Sequence, residues 1–145
     1  MAEHAEGTTE VFASPAEVMA VVADFEAYPE WVANLEEVEV LHRDRRGRGT
    51  RVAFRLRSPL GDQAYTLAYR YPAKDAGVSW TYVEGTLEDL AGSYALEPAA
   101  EGTTKVTYQL EVALGVPIPG FLLRQAARQV VRSALGDLKR RVESM

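Results

Sequence analysis

The chain has 145 residues, 47% of them hydrophobic, which matches one soluble domain (1–145) with a real core and leaves no room for a second. Asp and Glu outnumber Lys and Arg by 21 to 16, a net charge of −5, so nucleic acid is not an expected partner, because phosphate binding needs a basic face. With no cysteine, disulfide and thiolate chemistry are excluded and a reducing cytoplasm fits. The acidic start does not read as a signal peptide, and no apolar run approaches membrane-spanning length, so stable membrane insertion is not expected.

In chain order, a strand over 8–13 leads into Ser14-Pro15-Ala16-Glu17. A capping hydroxyl, a proline at the first helical position and a glutamate at the third predict a helix from there to about Asp24. Pro29 stops it, and its fixed φ suits the first turn of a second short helix over 30–36, which Trp31 is expected to anchor. Period-two alternation then predicts a meander of antiparallel strands. The first holds Val38, Val40 and His42, and ends at an arginine-rich turn over 45–49. The second holds Val52, Phe54 and Leu56, and a turn follows at Pro59-Leu60-Gly61-Asp62. In the third, Tyr65, Leu67, Tyr69 and Tyr71 share one face. Strands over 78–84, 87–96 and 103–114 complete a count of seven. After Pro117-Ile118-Pro119-Gly120, helical spacing runs over 121–142, roughly 22 residues and on the order of 33 Å long. Its apolar stripe takes in Leu122, Ala126, Val130, Ala134 and Leu138, joined by Leu123, Ala127, Val131, Leu135 and Val142. The predicted class is α+β, with the long helix covering one face of a curved sheet.

The face under that helix carries the functional signal. Phe54, Tyr65, Tyr69, Tyr71, Trp80, Tyr82, Tyr94 and Tyr108 fall in the inward phase of their strands. So many phenol hydroxyls are hard to satisfy in a dry core, whereas a ligand-filled cavity satisfies them. The expected ligand-binding set is Phe54, Tyr65, Tyr69, Trp80, Tyr82, Tyr94 and Tyr108, with Phe121 and Leu122 at the opening, between the sheet and the first half of the helix. The usual catalytic sets are missing. His4 lies in the terminal segment, His42 near a strand end, and neither has a partner at recognisable spacing. No His or carboxylate grouping has metal-ligand spacing, and no cofactor is expected. Asp137 and Arg141 are spaced to pair with each other.

Val11 to Pro15 with Ala16-Glu17-Val18, Asp24-Phe25-Glu26-Ala27-Tyr28-Pro29-Glu30-Trp31, Val78-Ser79-Trp80, Tyr94-Ala95-Leu96-Glu97-Pro98, Gly102-Thr103-Thr104-Lys105-Val106-Thr107-Tyr108 and Leu138-Lys139-Arg140-Arg141-Val142-Glu143 carry a further signal. Through them the chain resembles the START and Bet v 1-like superfamily (SRPBCC), in its polyketide cyclase/dehydrase branch. The resemblance implies the helix-grip fold: seven antiparallel strands around a long C-terminal helix, with two short helices between strands 1 and 2. It also implies carriage or sensing of a hydrophobic small molecule such as a polyketide, lipid or quinone. Alternatively, it implies an aromatase, cyclase or dehydrase in which Tyr65, Tyr69 or Tyr94 gives a proton and an arginine polarises a carbonyl or enolate. Arg51, Arg55, Arg57 and Arg70 are in the outward phase, so Arg124 is the expected arginine. A weaker third reading makes the Arg43-to-Arg51 turn a protein-interaction surface.

Overall fold

The computed structural model describes residues 2–58, 61–72 and 74–145; the expected turn at Pro59-Leu60 lies outside them. Seven antiparallel strands, β1 Glu3–Val11, β2 Leu35–Arg43, β3 Gly49–Leu56, β4 Gln63–Arg70, β5 Gly77–Gly85, β6 Asp89–Pro98 and β7 Thr104–Ala113, form one sheet in the order β1-β7-β6-β5-β4-β3-β2. Helix α1 (Pro15–Val22) and a 3₁₀ turn (Phe25–Glu30) join β1 to β2, and helix α2 (Gly120–Glu143) follows β7. This is the expected helix-grip arrangement. β1 begins at Glu3, ahead of the expected 8–13, so His4 is a paired strand residue opposite Glu111 and not part of a loose terminus.

The start of α1 forms as its sequence dictates. The Ser14 hydroxyl accepts from Glu17 N at 3.2 Å while the Glu17 carboxylate accepts from Ser14 N at 3.0 Å, a reciprocal pair satisfying two free N–H groups. The expected helix over 30–36 does not form. Pro29 instead lies inside the 3₁₀ turn, which ends at Glu30, and Leu35 already opens β2. At the ends of the turn, hydrogen bonds run from Ala27 N to Asp24 O and from Trp31 and Val32 N to Tyr28 O, and these do not call on the proton that Pro29 lacks. Trp31 therefore follows the turn, half-buried against Tyr28 at 5.0 Å between ring centroids, and does not anchor a helix.

α2 lies to one side of the sheet. Its buried edge is Leu123, Ala127, Val131, Leu135, Leu138 and Val142, while Leu122 and Val130 of the expected stripe are 41% and 47% exposed. Gly7 on β1 explains the rotation, because a Cβ there would sit 2.8 Å from Val131 Cγ1 and 3.0 Å from Leu135 Cδ1. A bare backbone at that point lets the helix press onto β1 and β7, and the middle of the sheet is left spanned by side chains alone. The expected Asp137–Arg141 pair is also replaced. Asp137 meets Arg140 and Ala33 N, and Arg141 reaches Glu30 at 3.2 Å.

The arginine-rich turn is largely satisfied within itself. Arg43 bonds Glu26 and Gly47 O, and Arg48 pairs with Asp44 at 2.8 Å and lies over the Tyr71 ring at 4.4 Å.

Candidate functional site

The gap between the mid-sheet and α2 is a cavity of about 460 Å³. Its floor is the inward face of β3 to β7, where Phe54, Tyr65, Tyr69, Trp80, Tyr94 and Tyr108 stand in register across neighbouring strands. The rings touch in a continuous run: Tyr69–Trp80 at 5.8 Å, Trp80–Tyr94 at 5.6 Å, Trp80–Tyr108 at 5.4 Å and Tyr94–Tyr108 at 4.8 Å between centroids. Gly92 makes room for the indole, since a Cβ there would lie 2.6 Å from Trp80 Cζ2. The roof is α2 from Leu123 to Asp137, and the end wall is Tyr28 and Trp31. Lining residues that reach solvent are Ala33 and Asn34 before β2, Arg57 after β3, and Gln129 and Val130 on α2, which places the mouth there.

Not every expected residue faces this space. Tyr82 is half-buried with its hydroxyl donated to Leu87 O at 2.7 Å, and Tyr71 donates to Gly49 O at 2.6 Å; neither lines the cavity. Phe121 and Leu122 are exposed on the first turn of α2 and lie off the wall, so the mouth is about two turns further along the helix than expected. Arg124 pairs with Glu3 at 2.9 Å on the β1 side of α2, away from the cavity, and Arg55 and Arg70 are exposed. A register shift that could have turned Arg70 inward does occur, but between Thr66 and Leu67 against β5, and it leaves Arg70 outside. Arg57, read from the strand phase as outward, touches the rim because it stands one residue past the end of β3; it is 72% exposed and pairs with Glu36 at 3.2 Å. The spacing also misread Asp137. It is 8% exposed on the cavity wall, with Oδ2 accepting from Ala33 N at 3.0 Å and Oδ1 from Arg140.

Tyr28 donates to Val22 O, but among the described residues no protein group bonds the hydroxyls of Tyr65, Tyr69, Tyr94 and Tyr108. Among the described residues no fully occluded polar side-chain atom lacks a partner, so these four oxygens, on residues that line the cavity, keep accessible surface. Burial pushes the hydroxyls of Tyr28, Tyr65, Tyr69, Tyr94 and Tyr108 up from the ordinary tyrosine value; neighbouring phenols add to it for all but Tyr65, as do the Asp24 carboxylate for Tyr28 and the Asp137 carboxylate for Tyr94. Each therefore holds its proton at neutral pH and acts as a neutral hydrogen-bonding group. These shifts set a pH dependence. Below the unfolded tyrosine value near pH 10 both states keep the protons and stability is unaffected; above it the unfolded chain ionises first, so stability is lost as pH rises toward the folded values. Absorbance at 295 nm through an alkaline titration should show the cavity tyrosines ionising only as the far-ultraviolet signal collapses. Ionisation of most tyrosines near pH 10 in a still-folded protein would refute their burial.

The model of the polyketide cyclase / dehydrase and lipid transport family matches residues 11–139. The chain belongs to that family. Among solved structures, this member of the polyketide cyclase/dehydrase family is similar to a START superfamily protein from Mycobacterium smegmatis, with 24% identity and a TM-score of 0.90 over 97% of each chain. It is also similar to the ZhuI aromatase/cyclase of Streptomyces sp. R1128, at 15% identity and a TM-score of 0.83 over 99% of this chain and 94% of that one. A di-domain aromatase/cyclase of the steffimycin biosynthetic pathway matches with 15% identity and a TM-score of 0.72, over 96% of this chain and 44% of its own. At these identities the likeness establishes the fold. No curated protein matches the chain by sequence. Among the described residues no helix is long and apolar enough to cross a membrane, and no group of His, Asp and Glu could hold a metal ion.

Proposed function

We propose that the protein binds a hydrophobic small molecule, of the polyketide, lipid or quinone kind, in the cavity between mid-sheet and α2, as a carrier or sensor. The observation that carries this is the set of four tyrosines, their hydroxyls without protein partners, that line an apolar space of about 460 Å³. That volume is in the range of pockets for drug-sized ligands, roughly 300–1,000 Å³. Ring faces give stacking surface and the hydroxyls give a few directional bonds. Membership of a family that includes lipid transport and polyketide cyclisation supports the same reading. Burying roughly 300 Å² of ligand at about 25 cal/mol per Å² supplies on the order of 7–8 kcal/mol before association costs, to which stacking and the phenol hydrogen bonds add.

The catalytic alternative asks for a cation against a developing oxyanion and for a tyrosine ready to release its proton. Arg124 is on the far side of α2, and Tyr65, Tyr69 and Tyr94 hold their protons more tightly than free tyrosine, which favours binding over proton transfer. Titration with the neutral dye N-phenyl-1-naphthylamine tests the binding reading. One dye per chain with micromolar affinity is expected, weakened in a folded Tyr69→Ala, Tyr94→Ala double variant. A dye that ignored the double substitution would place binding elsewhere.

A further inference from the structure

We infer that the cavity is built for a cationic ligand: a flat or elongated apolar molecule bearing a protonated amine, with the ammonium group seated at Asp137. The inference rests on the cavity being the binding site proposed above.

Of the described residues that line the cavity, only Asp137 and Arg57 carry a carboxylate or a guanidinium, and they are placed very differently. Arg57 is 72% exposed at the rim and already paired with Glu36, whereas Asp137 is 8% exposed beneath the loop that carries Ala33. The inner wall thus holds a carboxylate whose cationic partner, Arg140, lies outside the cavity lining, and no described lining residue places a cation inside. A carboxylate offers about four acceptor positions. Ala33 N takes one at 3.0 Å, and Arg140, whose side chain is 74% exposed and approaches from solvent, takes another. Capacity remains for a donor arriving from the cavity side, and a donor that brings positive charge gains the stronger, charge-assisted bond.

The rest of the wall suits the same charge. Tyr28, Trp31, Trp80, Tyr94 and Tyr108 line it with aromatic rings, and the electron-rich face of such a ring attracts a cation at close range. The free phenol oxygens have lone pairs for N–H groups. A ligand carboxylate meets the opposite situation, because a buried anion without a cationic partner is strongly disfavoured and its charge must stay at the mouth. Neutral ligands fall between.

The test compares three probes of matched size by isothermal titration calorimetry at pH 7: 2-(1-naphthyl)ethylamine, 2-(1-naphthyl)ethanol and 1-naphthylacetate. The amine is expected to bind about tenfold tighter than the alcohol, the scale of one charge-assisted hydrogen bond, with the acetate weakest. Raising NaCl to about 0.5 M separates this from general attraction to an acidic chain, which salt screens, while a contact under the loop persists. Asp137→Asn keeps a carbonyl for Ala33 N and removes the charge, so the amine should lose its advantage over the alcohol. An amine no tighter than the alcohol, or one whose advantage vanishes in salt or survives Asp137→Asn, overturns the assignment and leaves the alcohol as proof of an intact cavity. If none of the three binds, the cavity reading itself has failed, and this inference with it. Should the asparagine variant not fold, the ranking on the unmodified protein at two salt concentrations decides.

Discussion

Ala134→Trp should abolish dye binding while leaving the protein folded. Ala134 is half-buried where α2 forms the roof of the cavity, at the edge of the core, so a larger side chain there is expected to enter the cavity. An indole from this position occupies volume the ligand needs and stacks on the aromatic floor. The expected loss of affinity is on the order of a hundredfold, about 2.8 kcal/mol. Overpacking a dense core costs roughly 1–3 kcal/mol, and filling a void should cost less. Gln125→Trp is the control: it is exposed, does not line the cavity, and should leave the dye's affinity as it was. Equal binding by the plugged and unmodified proteins would remove the cavity from consideration as the site.

Phe25→Ala should be among the most destabilising single truncations. Its side chain is 2% exposed and lies 4.6 Å from Tyr69 and 5.2 Å from Tyr28 between centroids, with its ring edge over Gly49, where a Cβ would come within 2.9 Å. It fixes the closed end of the aromatic run. Removing a large core ring costs about 3–5 kcal/mol, and at roughly 2–4 °C per kcal/mol for a chain of this size the melting temperature should drop by on the order of 10–15 °C. Phe12→Ala, at a site 73% exposed, should change stability by less than about 0.5 kcal/mol. Similar melting temperatures for the two variants would show that the ring run does not hold the core.

What the sequence made legible was local. The Ser14–Glu17 cap, the alternation of the strands and the inward phase of the cavity aromatics all depend on spacings of a few residues, and they appear in the structure as read. The misreadings each turned on a distant partner or an unusual local geometry. Leu122-Ala126-Val130 and Leu123-Ala127-Val131 have the same helical spacing, and the row that is buried is the one that meets Gly7, more than a hundred residues away. Asp137 looked like half of an i, i+4 pair because its other partner, Ala33 N, cannot be seen from spacing along one helix. Pro29 was read as the start of a helix because it cannot sit within an α-helix, whereas a 3₁₀ turn needing no bond from it admits it readily.

The strand order has a consequence for how the molecule assembles. β2 to β7 follow one another both along the chain and across the sheet, so each can pair with the strand just made and close only a short loop. β1 cannot. Its partner is β7, with Val11 opposite Thr104 and Glu3 opposite Val112, and the helix that presses on Gly7 comes later still. Contacts between distant segments are slow to form because the loop-closing entropy comes before the reward. On a ribosome, the first strand is made before anything it can pair with, and its apolar face waits uncovered until α2 emerges. The roof that encloses the ligand space is thus the last part of the fold to arrive, and a ligand present during synthesis would meet an open sheet before it met a cavity.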